Sequence, residues 1–356
     1  MIKQMYKRWW KVLGALLVLY SILVGLAVPV GPGLIDLNPK EAKTGEEVLV
    51  SFRGYNTHFN EAGSSLRIWL RYKDLYLPAT QIHSNSDWYA VARFRIPANL
   101  PESYRDRVYD VIVNDDKDGT FILPRAFTLI SGQVSEEVFQ FPQLEKVENN
   151  DPQWFNFPHR IVLYESIRNL LFHVPMWFAM TLLLTFSFAF SIAYLRTFNP
   201  VYDTIAAATA NAGILFGLLG FMTGALWGNF AWGALNKWLL QDTKILGALI
   251  GLLLYMAYFI LRGALPNDEK RARISSVYNI FAWVMFIVFI YVTPRMTETL
   301  HPGNGGNPAF SSYDLDSHLR LVFYPAVIGW ILIGLWISSL QVRYHLLKEK
   351  CYDQEN

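Results

Sequence analysis

Six long stretches free of Asp, Glu, Lys and Arg constrain this chain more than any other feature: Val12–Ile35, Asn169–Leu195, Thr204–Asn236, Ile245–Leu261, Ile274–Pro294 and Leu321–Val342. A helix of about 20 mostly apolar residues crosses the hydrocarbon core of a bilayer, and each stretch meets or approaches that length. The third is too long for one span and is expected to include an uncharged loop. The expected fold class is therefore a polytopic α-helical membrane protein with six transmembrane helices. Composition agrees in part. Only 17% of the 356 residues are charged, against about a quarter in soluble domains. Even so, 17% is too much for a chain lying wholly in lipid, so the charge must collect somewhere.

It collects between the first two spans. From Pro32 to Arg160 there are 14 Lys and Arg against 18 Asp and Glu. Runs such as Glu47–Arg53, Leu66–Tyr72, Trp88–Arg95 and Val108–Val113 are rich in β-branched and aromatic residues with partial alternation, and turn-forming clusters such as Asn114–Gly119 separate them. Short strands at this spacing predict an extracytoplasmic β-sandwich inserted after the first helix. The stretch Leu34–Gly45 followed by Val48–Asn56 resembles the immunoglobulin-like IPT/TIG modules. The expected division is an anchor over 1–31, the β-sandwich over 32–140, a linker with an amphipathic segment over 141–168, a five-helix membrane domain over 169–342 with a Trp-rich loop at 223–244, and a tail over 343–356.

Lys and Arg in the short loops set the orientation. With the N-terminus inside, twelve of them (Lys3, Lys7, Arg8, Lys11, Arg196, Arg262, Lys270, Arg271, Arg273, Arg343, Lys348 and Lys350) lie inside. Four (Lys237, Lys244, Arg295 and Arg320) lie outside. Both termini are thus expected in the cytoplasm and the β-domain in the periplasm of a bacterial inner membrane. The basic start also suits a cleaved signal, but the apolar run is longer than such signals carry and Val28, Pro29 and Val30 make no small-residue cleavage site. The net charge of +2 leaves no footprint for nucleic acid. One cysteine, Cys351, excludes an internal disulfide framework and Cys-based metal sites.

Tracing the spans brings three features to one side. His173 stands at the outer end of the second span; Trp227, Trp232 and Trp238 occupy the loop from Thr223 to Lys244; His301 lies between the fifth and sixth spans. Each has an ordinary alternative, since Trp gathers at membrane interfaces and a lone helix-end His is commonly a satisfied side chain. Together they match what a planar macrocycle with a central iron requires: imidazoles from opposite sides, aromatic surface on its faces and polar neighbours for its carboxylates. His318, near Arg320, is the one competing outer histidine. His58, His83, His159 and His345 lie elsewhere.

These residues resemble the haem exporter protein C (CcmC) family of cytochrome c biogenesis, related to the CcsA synthase subunits. The likeness rests on His173, Val174 and Pro175; on Thr223 to Gly233 with Asp242 and Lys244; and on Thr299, Leu300 and His301. Leu235, Asn236, Lys237 and Gln241 stand where such loops usually carry further Trp. The resemblance implies that non-covalent, transient b-type haem is held between axial His173 and His301. Trp227, Trp232 and Trp238 would lie on the porphyrin, with Asp242 and Lys244 at its edge. It implies delivery to a periplasmic haem chaperone beside the other subunits of an ABC transporter complex. The sequence holds no metalloprotease, P-loop or nucleophile motif, so no bond-making catalysis is expected. A subunit of a cytochrome c haem lyase, or a structural or sensory membrane protein with an Ig-like ectodomain, are the other readings. Apart from His173, none of the six apolar stretches holds a histidine, which favours handling over ligation.

Overall fold

The computed structural model describes residues 8–132, 139, 152, 154–161, 163–233, 241–297, 299, 301 and 315–355. The chain divides into two compact units, Met1–Ala27 with Ser166–Asn356, and Val28–Glu165. Among the described residues, the first holds six helices long and apolar enough to cross a membrane: α1 (Trp9–Ala27), α2 (Leu170–Thr197), α3 (Pro200–Trp232), α4 (Thr243–Ala264), α5 (Asp268–Ile287) and α6 (Ser317–Glu355). A π-helical turn, Val288–Val292, and a last turn, Thr293–Met296, extend α5. The protein is a polytopic helical membrane protein with a β domain inserted between its first and second helices.

Local chemistry sets the helix ends. α1 stops at Ala27, short of the apolar stretch's end at Ile35, because Pro29 and Pro32 offer no backbone N–H to a continuing helix. Leu34 and Ile35 instead enter the first strand. Asn199 caps α3 by accepting from the Val201 amide at 3.0 Å, with Pro200 at the first helical position. Asn267 caps α5 in the same manner at 2.9 Å from the Lys270 amide.

One expectation is corrected here. The stretch from Thr223 to Trp232 is not loop: α3 runs unbroken for 33 residues, roughly 50 Å, and ends at Gly233, whose φ of 81° suits a residue without Cβ. From Thr204 to Trp232 no proline or charged residue occurs, so nothing there stops the helix. Residues 234–240 lie outside the described residues.

Met180, Leu183, Leu184, Phe216, Leu252 and Phe286 interlock as the apolar core of the bundle. Polar contacts join the helices toward the end away from His173. Asp203 of α3 takes both guanidinium nitrogens of Arg262 on α4. Asn279 of α5 donates to Ser187 and Ser191 of α2 at 2.7 and 2.8 Å, all three being buried. In an apolar solvent such groups are costly unless paired, so they fix which helices meet and in what register.

In the second unit, β1 (Gly33–Asn38), β3 (Glu47–Tyr55), β7 (Tyr89–Arg95) and β6 (Gln81–Ser86) form a sheet in the order β1-β3-β7-β6. The other sheet runs β2-β9-β8-β4-β5, from β2 (Glu41–Lys43), β9 (Gly119–Ile130), β8 (Arg107–Asp115), β4 (Arg67–Tyr72) and β5 (Leu75–Pro78). Of these strand pairs, β2 with β9 is parallel and the others are antiparallel. Alternation places Val50, Phe52, Ala90, Ala92 and Phe94 of the first sheet in one core with Leu70, Tyr109, Val111 and Phe127 of the second. The Tyr109 hydroxyl donates to the Tyr104 carbonyl at 2.8 Å, five residues back, as tyrosines do at the corners of immunoglobulin-like sandwiches. Burial pushes that phenol's pKa up.

Candidate functional site

His173 is the fourth residue of α2. Its Nδ1 lies 2.9 Å from the Gly220 carbonyl oxygen and 3.3 Å from Thr223 Oγ1, both on α3. A carbonyl can only accept, so Nδ1 carries the proton and Nε2 keeps a free lone pair. Thr223 Oγ1 donates back to the Leu219 and Gly220 carbonyls, which closes this small network. The imidazole lies on bare backbone: a Cβ at Gly224 would stand 2.6 Å from His173 Cε1.

The His301 ring centre is 6.0 Å from that of His173, with the planes inclined by 37°. Trp227 and Trp232 each lie 6.4 Å from His301 and 5.1 Å from one another, edge to face. Trp177 lies 6.1 Å from His173. Trp227 donates its indole N–H to Ser166 Oγ at 3.2 Å, which gives the ring's polar edge a partner while its faces stay apolar.

His301 is tethered as well. Its amide donates to Thr299 Oγ1 at 3.1 Å, and that hydroxyl donates to Asp242 Oδ2. Asp242 Oδ1 accepts from the Lys244 and Ile245 amides at 3.0 and 3.1 Å, capping α4. One buried carboxylate thus starts a helix and holds the His301 segment. A π-helical stretch lies at the end of α5. Pro294 has no N–H to give, and the Thr293 amide reaches back five residues to the Val288 carbonyl. Gly247 of α4 meets this turn so closely that a Cβ would fall 2.3 Å from the Phe289 carbonyl oxygen.

Of the residues singled out from sequence, His173, His301, Trp227 and Trp232 come together. Asp242 is engaged by the protein through both oxygens, and Lys244 is half-buried in the first turn of α4. Trp238 lies outside the described residues. His318 is the second residue of α6. Sequence reasoning missed Ser166, Trp177, Gly220 and the clamp at Thr299, although Thr299 sits two residues before His301.

No group of three or more His, Cys, Asp or Glu able to hold a metal ion occurs among the described residues.

Fold and site thus define a class: a multi-pass helical membrane protein with paired imidazoles and indoles at one end of its bundle. Residues 120–355 match the family model described as Heme exporter protein C, so the chain belongs to that family. It is 30% identical over 178 residues to the Heme exporter protein C of Bradyrhizobium diazoefficiens, covering 49% of this chain and 66% of that protein. It is 24% identical over 170 residues to the protein of the same name from Rhodobacter capsulatus, covering 46% and 67%. A ccmC-like mitochondrial protein of cytochrome c biosynthesis from Marchantia polymorpha is 28% identical over 138 residues, covering 38% and 56%. The matches therefore span between about half and two thirds of each relative's length, and the family match begins only at residue 120, in the last strand of the β domain.

Proposed function

We propose that this protein binds haem as cargo at the outer face of a bacterial inner membrane and hands it on during cytochrome c maturation. The observation that carries this reading is the His173–His301 pair, 6.0 Å apart and flanked by Trp227 and Trp232. The names of the family and of its relatives supply the pathway. His173 and His301 serve as axial ligands; Trp227, Trp232 and Trp238 offer apolar surface to the porphyrin; Lys244 pairs with a propionate. Asp242 acts at the porphyrin's edge by positioning His301 through Thr299.

Haem supplies an iron whose two open positions the imidazoles fill. With both filled, chemistry at the metal is disfavoured and holding is favoured, so the protein handles haem rather than forming bonds to it. The Gly220 carbonyl fixes the His173 tautomer and raises the basicity of Nε2, as partners of metal-bound imidazoles do. The haem is b-type and transiently held, and a periplasmic haem chaperone receives it beside the subunits of an ABC transporter complex. Both termini lie in the cytoplasm. The experiment is haem quantification after purification from a haem-replete host. His173→Ala and His301→Ala should each lose most of the bound haem; wild-type haem content in both variants would refute the axial assignment.

A further inference from the structure

The β domain carries a second concave site that the haem reading does not use. A cavity of about 550 Å³ opens on the five-stranded sheet, lined by Arg71, Lys73, Arg107 and Arg125 and by two carboxylates, Asp106 and Asp110. Both carboxylates are already engaged. Asp106 accepts from the Ser131 amide and hydroxyl, while Asp110 accepts from the Arg71 guanidinium at 2.7 Å and from the Arg125 amide at 2.9 Å. Lys73, Arg107 and Arg125 make no ion pair among the described residues, and all three are exposed. The lining thus carries four cations against two carboxylates, in a segment whose overall charge is acidic.

The backbone is bent to present them. The β8–β9 ladder breaks register opposite Asp110, passing from Tyr109↔Phe127 to Val111↔Leu123, so the bulge lifts Arg125 out of the pairing. Arg125, Lys73 and Asp106 have φ of 50°, 53° and 52°, a left-handed conformation that non-glycine residues seldom adopt. Half of the six such residues in the described chain line this cavity. Asp110 then acts as an internal post, holding Arg71 with one oxygen and the Arg125 backbone with the other.

We propose that this face docks an acidic, extended polypeptide segment of a partner protein. The cations sit on three adjacent strands, β4, β8 and β9, or on the turn beside β4. Strands lie about 4.8 Å apart, so the charges spread over roughly 10 Å. A single phosphate or carboxylate reaches one end of such a row at a time. Two carboxylates at alternate positions of an extended segment lie about 7 Å apart and meet both ends. Arginine's planar fork takes each carboxylate bidentately.

The test uses the full chain in detergent micelles and a fluorescein-labelled peptide of alternating Glu and Thr, read by anisotropy. Arg107→Gln with Arg125→Gln should weaken binding at least about tenfold, and binding should fall steeply as salt rises. Arg53→Gln with Arg95→Gln removes the same charge from the exposed face of the other sheet and should change little. The swapped pair Arg107→Glu with Arg125→Glu should prefer a peptide of alternating Lys and Thr, which shows that the domain is still folded. No binding, or equal losses in both Gln pairs, would overturn the proposal. Displacement of the peptide by inorganic phosphate or short-chain phosphatidylglycerol at the peptide's own concentration would make this a phosphate or lipid-headgroup site, and would overturn it too.

Discussion

At the scale of residues, the site is a matter of restraint. His173 is held by the Gly220 carbonyl and laid on Gly224; His301 is held through Thr299 to Asp242. Asp242→Ala should remove a helix cap, costing about 1 kcal/mol of stability. It should also release Thr299, weakening haem binding by about ten- to a hundredfold, the range for partners of metal ligands. Asp242→Asn still caps with its one side-chain oxygen, and its NH2 meets Thr299 Oγ1 as a donor, so it should recover the cap and part of the lost haem affinity. Haem titration of the two variants, with their melting temperatures, checks this. Equal haem affinity in wild type and Asp242→Ala would remove Asp242 from the site.

At the scale of elements, the bundle is joined by a few polar clamps in an apolar solvent. Asp203 and Arg262 are largely buried, and their bidentate pair ties the start of α3 to the end of α4. Arg262→Ala would leave a buried carboxylate alone, costing about 3–5 kcal/mol, whereas replacing both partners by neutral residues should be much milder. Thermal unfolding in detergent should show a clear fall for Arg262→Ala and a partial return for Asp203→Asn with Arg262→Gln. Identical melting of Arg262→Ala and wild type would rule the clamp out.

The elements also show what sequence can reveal. Spans declare themselves through missing charge, and strands β3, β4, β7 and β8 through β-branched and aromatic runs. The helical continuation to Trp232 was hidden, because Trp, Gly and Asn in Trp227–Trp232 suit an interfacial loop as well as a helix end. The π turn was hidden too, since it depends on Pro294 and on packing against Gly247. His173 and His301 were legible as a pair only because helix topology brings separate segments to one end; their tethers, Thr299 and Gly220, needed coordinates.

At the scale of the whole molecule, the missing charge that marks six spans has its counterpart in one β domain between α1 and α2. The proposed topology puts the exposed Cys351, on the C-terminal turns of α6, in the cytoplasm. A membrane-impermeant maleimide should therefore label it in inside-out vesicles and not in intact spheroplasts; the reverse pattern would invert the topology and move the paired histidines inside. The central claim is that His173 and His301 hold one haem between them, and the most direct measurement is the absorption and electron paramagnetic resonance of the detergent-purified full chain. The account predicts a six-coordinate, low-spin bis-imidazole signature that becomes five-coordinate or disappears in both His173→Ala and His301→Ala. Purified protein without haem, or a bis-imidazole spectrum unchanged in either variant, would contradict it.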